Sequence, residues 1–461
     1  MIKGNGLTKE YNNTVLFKDI SFHIVHGEKI ALIGRNGIGK STLFRLINGL
    51  EQPTNGTIEL VHEKLAYLTQ EFDFPENTMI GEFLEDISRD NHDYWRTEKI
   101  AGQLGLTIDP YREISTLSGG EKMRLKLTQL LYDEPTTLIL DEPTNHLDII
   151  GIQWLKKFLH SFKGTVLLIS HDRDLINDVV NKIYEIDQGI LLQFSGNYDD
   201  YVNQKQQWIE NKELEYNRFV ERKKKLEILL HKAQVGIIRS RSGNATEAAK
   251  KRYDREITQR EVKQYEKKAY SDINISGSVH SAKLVLKVEG LNKAYGDKKI
   301  LDDISFEIRG NEKIWLFGEN GMGKSTLVKC ILGLESHDSG TIKIGENINI
   351  GYFEQKQKPM EDEEKLIDYY MKHALISYYQ VPSVLNKYLF TKDDLIKPVK
   401  LLSPGQQARL KFALFAHRST KEEYQLLILD EPAQHLDIET KEIVERTINE
   451  FKGAVILISH D

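Results

Sequence analysis

Apolar and polar residues alternate along VLFKDISFHIV, residues 15–25, a period of two that predicts antiparallel strands. The apolar run IALIG then leads into a glycine-rich stretch and the helical pattern STLFRLINGL, residues 41–50. Further on, TLILD (137–141) and GTVLLISHD (164–172) are short and almost wholly apolar before their acidic ends. Such runs suit strands of a parallel sheet covered on both faces. The whole order returns in the second half as LVLKVEGLNKAY, ILDDISFEI, KIWLFGENGMGKS, LLILDEP and GAVILISHD. The predicted class is α/β in two repeated units, residues 1–197 and 283–461.

Between the repeats the pattern changes. Residues 198–282 are rich in Lys and Glu, and Trp208, Phe219, Leu226, Leu229 and Leu230 fall at helical spacing within them. This predicts two helices broken at GIIRSRSG, residues 236–243. With about 25 to 30 residues each, at about 1.5 Å per residue, they would reach roughly 40 Å.

The chain's 461 residues, 40% hydrophobic and 29% charged, suit two or three domains of an ordinary soluble protein. No apolar h-region opens the sequence, and no run of about 18 apolar residues occurs. A cytoplasmic location is therefore expected. The single cysteine, Cys330, is expected to be a small buried helix residue, since alone it can form neither an internal disulfide nor a cluster. Charge is uneven: residues 218–255 hold 12 Lys or Arg against 4 Asp or Glu, so that +8 sits on a remainder of −14. A basic segment on an acidic body predicts a polyanionic partner. A solvated spacer is the plainer alternative.

The chemistry lies in motifs that occur twice, about 284 residues apart. GRNGIGKST (34–42) and GENGMGKST (318–326) each follow a predicted strand and open a predicted helix, the context a phosphate loop requires. Gly34, Gly37 and Gly39, with Gly318, Gly321 and Gly323, keep side chains away from backbone N–H groups that converge on phosphate oxygens. Lys40 and Lys324 supply point charges, and Ser41 and Ser325 offer hydroxyls to a magnesium ion. Asn36, Thr42, Asn320 and Thr326 complete the ATP-binding loops. In LILDEPTNHLD (138–148) and LILDEPAQHLD (427–437) the acids stand at the end of a buried strand, where ligands of parallel sheets bind. Asp141 and Asp430 are expected to hold Mg2+, while Glu142 and Glu431 polarise the attacking water.

His171 and His460, each 29 residues after its glutamate, are candidates to sense the γ-phosphate. Gln70 and Gln355 lie 30 and 31 residues after the loop lysines and are candidates to contact Mg2+ or the attacking water. Tyr11 and Tyr295 each precede the first loop glycine by 23 residues. Their matched placement points to adenine stacking, with a core aromatic as the alternative.

With these motifs the chain resembles a tandem ATP-binding-cassette ATPase. LSGGE (117–121) and LSPGQ (402–406) match the family's signature, and DEPTNHLD with a charged two-helix linker narrows the resemblance to the ABC-F group. The resemblance implies two tandem ABC-type P-loop domains joined by an α-hairpin, acting as a monomeric cassette pair. It implies cassettes that close head to tail on two ATP molecules. Each nucleotide would lie between one phosphate loop and the other unit's signature, Ser118, Gly119 and Gly120 or Ser403, Gly405 and Gln406. It further implies that the hairpin, residues 203–270, enters the ribosomal tRNA exit site and reaches rRNA and the P-site tRNA. The interval 71–116 holds only 46 residues, too few for the extra helical arm of many housekeeping members, so displacement of ribosome-targeting antibiotics is a possible role. A transporter ATPase subunit, another nucleic-acid-associated ATPase, a recycling factor with an N-terminal cysteine cluster and a scaffold are the competing classes.

The copies are not identical. Pro404, Ala433 and Gln434 stand where the first copy has Gly119, Thr144 and Asn145. Proline removes a backbone N–H. In a head-to-tail pair these residues would face the nucleotide at Lys40, so the Lys324 site is expected to hydrolyse ATP faster. The second copy ends at SHD, whereas the first continues through RDLINDVVNKIYEIDQGILLQF, and a counterpart of that closing segment is expected to be missing.

Overall fold

In each repeat a small antiparallel sheet and a parallel sheet enclose the helix that follows the phosphate loop. The computed structural model describes residues 1–461 except 12–13, 71–72, 89–92, 146, 236–244, 259–261, 263, 266–274, 297, 319–320, 355–359, 434–435 and 460–461. In the first repeat, strands Thr14–Ile24, Ile2–Tyr11 and Asn55–Leu60 form the antiparallel sheet in that order. The alternation in VLFKDISFHIV buries Ile20, Phe22 and Ile24 on one side, as a period of two requires, and Phe17 joins them across the irregularity at Asp19, whose φ is 54°. The parallel strands are Leu65–Leu68, Thr137–Asp141, Thr165–Ile169, Lys29–Ile33 and Lys182–Asp187, and Ile190–Ser195 completes a six-stranded sheet. Leu138, Ile139 and Leu140 are wholly buried, which is why their run has no polar partner positions.

The second repeat rebuilds the antiparallel sheet with Lys298–Arg309, Leu284–Tyr295 and Ser339–Ile344. Its parallel sheet has four strands among the described residues, in the order Lys313–Leu316, Ala454–Ile458, Leu426–Asp430 and Ile350–Phe353. This changes the surroundings of the strand that feeds the phosphate loop. Lys29–Ile33 is central, paired on both sides, whereas Lys313–Leu316 pairs on one side among the described residues. Ala31 and Ile33 are buried, but their counterparts Trp315 and Phe317 are 48% and 66% exposed.

Each repeat also carries a helical part that presents the signature. In the first, Ile80–Ser88, Tyr94–Gln103 and Gly119–Tyr132 pack through Ile80, Leu84, Ala101 and Leu125. In the second, Leu366–Ala374, Val381–Lys387 and Pro404–Ser419 pack around Tyr370, Leu385 and Leu410. Both signature helices start with a capping box, Ser118 with Glu121 and Ser403 with Gln406. Proline at the first helical position costs the helix nothing, because that N–H has no intrahelical partner. Cys330 is buried on helix Lys324–Ile331, as its position in the sequence leads one to expect.

Both repeats fall in one unit, Met1–Gln193 with Tyr270–Asp461, and Phe194–Ala269 forms a second. In the second unit, helix Tyr198–Gln234 has 37 residues, about 55 Å at 1.5 Å per residue. It is longer than the pattern predicts. A capping box of Asn197 and Asp200 and the ring contacts of Tyr201 with Phe194 and Tyr198 fix its start. The returning helix, Ala245–Tyr253, is shorter than predicted and passes into the wider turn Asp254–Thr258. The wider turn brings Glu256 to both Arg222, at 2.7 Å, and Arg252, at 2.9 Å, which together pull its carboxyl down to about 2. Phe194, Tyr198, Leu226, Ala233, Ala249 and Ile257 are the buried apolar residues of this small unit among the described residues. The predicted break at 236–243 lies outside the described residues.

Candidate functional site

Helix Lys40–Ile47 is anchored by buried Leu43, Phe44, Leu46 and Ile47, and its N-terminus carries the glycine-rich loop. Orphan N–H groups and the positive end of the helix make this an anion-binding end. Lys40 Nζ donates to Gly34 O at 2.7 Å and to Arg35 O at 3.2 Å, spanning the loop where phosphate oxygens would sit. Lys324 Nζ donates to Gly318 O at 2.7 Å in the same way. Burial weakens the charge of Lys40, and Glu142, Asp437, Asp141 and Glu439 oppose that effect.

Asp141 ends its strand with Oδ2 accepting from Tyr67 OH at 3.3 Å and Ser41 against the same carboxylate. Its Oδ1 is buried with no hydrogen-bond partner among the described residues. Burial raises the Asp141 and Asp430 carboxyls above their ordinary value. Ser325 Oγ donates to Asp430 Oδ2 at 3.3 Å, repeating the serine–aspartate pair. A buried carboxylate with a spare oxygen beside a hydroxyl fits Mg2+, which takes one or two carboxylates plus phosphate oxygens rather than an all-protein cage. No cluster of three or more metal-ligating residues occurs among the described residues.

Glu142 and Glu431 turn the chain away from the strand with φ of 51° and 50°, a left-handed conformation uncommon for a residue with a Cβ. Backbone bonds hold that turn, from Glu142 N to Ile169 O at 2.8 Å and from Glu431 N to Ile458 O at 2.9 Å. Burial pushes Glu142 up to about 7, although Lys40 and Lys441 pull it down. His171 Nε2 lies 3.1 Å from Glu142 Oε1 and 3.1 Å from Asn36 Oδ1, linking the acid to the loop.

These groups open onto a cavity of about 610 Å3. Gly37, Gly39, Lys40, Ser41, Thr42, Gln70, Asp141, Glu142 and His171 line it from the first repeat, facing Ser403, Pro404 and Gly405 of the second signature. Gly119 and Glu431 also reach its wall. Gln406 is turned inward as the capping residue, its Oε1 accepting from Ser403 N at 3.0 Å. Gly34 adjoins the loop, Ser118 caps its own helix, and Gly120 follows Gly119. In the second repeat Gly318, Lys324, Ser325 and Thr326 are half-buried, and Gly321 is exposed. Asn320, Gln355, Gln434 and His460 lie outside the described residues.

Tyr11 and Tyr295 do not enter the cavity lining. They are 41% and 49% exposed, bond to Glu51 and Glu335, and carry Lys9 and Lys293 at 4.8 and 5.1 Å from their ring centroids. Both therefore have the same half-exposed setting in each repeat, which is not that of a core aromatic.

Several residues that cross between the repeats escaped the motif reading. Arg35 donates to Leu389 O, and Asn36 N donates to Asp437 Oδ2 at 3.4 Å. Burial would raise Asp437, but Arg409, Thr440 and His171 hold it down to about 2. Arg173 reaches Ile438 O at 3.3 Å, Glu445 at 3.4 Å and Glu442 at 3.5 Å. A signal existed in the repeat itself, because Arg35 aligns with Glu319 and so breaks the copy's identity.

Two parallel-sheet cassettes with phosphate loops, each with a signature helix, define an ATPase of the ATP-binding-cassette class. The family model described as ABC transporter matches residues 17–145 and 301–434. ABC transporter F family member 2 of Arabidopsis thaliana is 31% identical, over all of this chain and 74% of that protein. The ATP-binding protein Uup of Escherichia coli is 32% identical, over all of this chain and 78% of its own. The energy-dependent translational throttle protein EttA of Mycobacterium tuberculosis is 29% identical, over 98% of this chain and 87% of its own. The chain belongs to the ABC-F family of ATP-hydrolysing cassette proteins. The fold is also that of the archaeal ribosome recycling factor aABCE1, solved with ribosomal stalk protein aP1, at 20% identity and a TM-score of 0.64, covering 99% and 84% of the two chains. No helix among the described residues is long and apolar enough to cross a membrane.

Proposed function

We propose that this ATPase works on the ribosome, its cassettes closing on ATP and the segment between them touching RNA. The observation that carries the proposal is the unit Phe194–Ala269, a hairpin whose Arg218, Arg222, Lys223, Lys224, Lys225, Lys232, Lys250, Lys251, Arg252 and Arg255 are all exposed. Ten exposed cations on a narrow helical pair suit a polyphosphate backbone, and contacts of that kind are salt-sensitive. The name of the EttA relative, a translational throttle, supports the same direction. Residues 1–197 and 283–461 are the two cassettes in this reading, and 198–282 the linker, which reaches rRNA and the P-site tRNA in the cytoplasm. Modulation of translation or displacement of a bound antibiotic would follow from that contact.

At the Lys40 site the phosphate loop binds the β- and γ-phosphates through backbone N–H groups and the lysine. Ser41, Asp141 and Gln70 would hold Mg2+, as would Ser325, Asp430 and Gln355 in the other cassette. When bound, the ion offsets the charge of the phosphates. Glu142, near neutrality in its burial, takes a proton from the water that attacks the γ-phosphorus, while the bond to the β–γ bridging oxygen breaks and ADP leaves. His171 fixes the glutamate and Asn36 relative to one another. The second signature closes the cavity from the opposite side with one donor fewer, because Pro404 has no N–H.

Co-sedimentation with ribosomes tests the proposal. The Glu142→Gln/Glu431→Gln chain with MgATP is expected to pellet with ribosomes at low salt and to be released as salt rises. Changing Lys223, Lys224 and Lys225 to Glu should weaken binding by about tenfold or more. Failure to pellet at low salt contradicts the proposal and favours a transporter subunit.

A further inference from the structure

His171 and Arg173 stand on either side of a fixed residue. Asp172 caps helix Arg173–Val179 by accepting from Leu175 N at 2.8 Å, and its own N–H donates to Ser170 Oγ at 3.1 Å. From this rigid turn the two side chains serve different cassettes. His171 stays in the first, 3.1 Å from both Glu142 and Asn36. Arg173 crosses to the second and meets helix Ile438–Glu450 at Ile438 O, 3.3 Å, at Glu442, 3.5 Å, and at Glu445, 3.4 Å. Those three residues are spaced i, i+4, i+7 and so share one helix face.

The phosphate loop is tied to the same helix. Asp437, its cap, accepts from Thr440 N at 3.0 Å and from Asn36 N at 3.4 Å. Asn36 and the turn at Asp172, which together place His171, are thus both set against one helix of the other cassette. The side chains of Arg173, Glu442 and Glu445 are 29%, 42% and 53% exposed, so each ion pair contributes little strength. What a planar guanidinium on one carbonyl and two carboxylates supplies is orientation. On the first cassette's helix Ile149–Ser161 the matching positions are Gln153 and Lys156, and Lys156 pairs with Asp178 of its own cassette at 3.5 Å. The acidic pair belongs to the second cassette's helix alone. We propose that Arg173 is a positioning residue for hydrolysis at the Lys40 site, holding His171 on Glu142 through its grip on the second cassette. This rests on the reading of Glu142 as the base. With the grip lost, the histidine and the loop no longer share a reference, and the glutamate loses its orienting group. ATP binding is left largely intact, because the phosphate loop and Lys40 make it.

The test uses the full chain carrying Glu431→Gln, so that steady-state ATP turnover reports on the Lys40 site. Arg173→Met is expected to lower kcat about five- to tenfold and to leave KM within about twofold. Arg173→Lys, which keeps the charge, should recover most of the loss. In a chain that also carries Glu442→Gln and Glu445→Gln, Arg173→Met should cost much less, because members of one network are not additive. Parental kcat in the Met variant, a rise in KM alone, or the same loss with and without the two glutamates overturns the role of Arg173. If the Glu431→Gln chain turns over no more ATP than the Glu142→Gln/Glu431→Gln chain, the reading of Glu142 as the base falls first, and this inference falls with it.

Discussion

The two phosphate loops share seven of nine residues, yet they sit in different surroundings. Gly34 follows a strand paired on both sides, and a Cβ there would lie 2.7 Å from Ile186 O of the neighbouring strand. Gly318 follows a strand paired on one side among the described residues, and a Cβ there would meet no described atom within 4 Å. Gly39, Lys40 and Thr42 are buried, while Gly323, Lys324 and Thr326 are only half-buried. Sequence identity in the loop thus does not fix its environment. The difference adds to the one in the signatures, where Pro404 faces Lys40.

The largest expected effect breaks or sharpens that comparison directly. Both glycines have a φ near 150°, so alanine strains either backbone, but only Gly34→Ala also drives a methyl into a fixed carbonyl. Thermal unfolding of the two variants should show Gly34→Ala less stable than Gly318→Ala by about 1–3 kcal/mol. Equal melting temperatures would mean that the outer strand does not confine the first loop.

An effect of similar size concerns the contact between cassettes. Asp437, ordinarily near 3.8 and held at about 2, is a carboxyl with a depressed value. Its contribution is present above about pH 4 and is lost as pH falls toward 2. Asp437→Asn should therefore lower stability at pH 7 by roughly 1–3 kcal/mol, and the gap to the parent should narrow in acid unfolding between pH 4 and 2. A gap that stays constant through that window would remove the charge pairing with Arg409 from the account.

Much of this was legible in the sequence because it is local. A glycine-rich loop between an apolar run and a helical pattern, two acids at a strand end and a capping serine at each signature all declare themselves within ten residues. The hairpin was legible as a pair of helices, but not in its proportions. The length of Tyr198–Gln234 and the shortness of Ala245–Tyr253 depend on where Leu226, Ala233, Ala249 and Ile257 find apolar partners and where Glu256 meets Arg222, which are contacts between distant residues. For the same reason the partners of Arg35, Arg173 and Asp437 were not legible. Each acts on the other repeat, more than 250 residues away, and only for Arg35 did a mismatch between the copies, at Glu319, hint at it.

The inequality of the two ATP sites is tested most directly by steady-state ATP turnover of the single variants Glu142→Gln and Glu431→Gln. The larger loss is expected from Glu431→Gln, about tenfold or more beyond that of Glu142→Gln, because in the proposed head-to-tail closure the Lys324 site would receive the intact LSGGE signature. A larger loss from Glu142→Gln would contradict it.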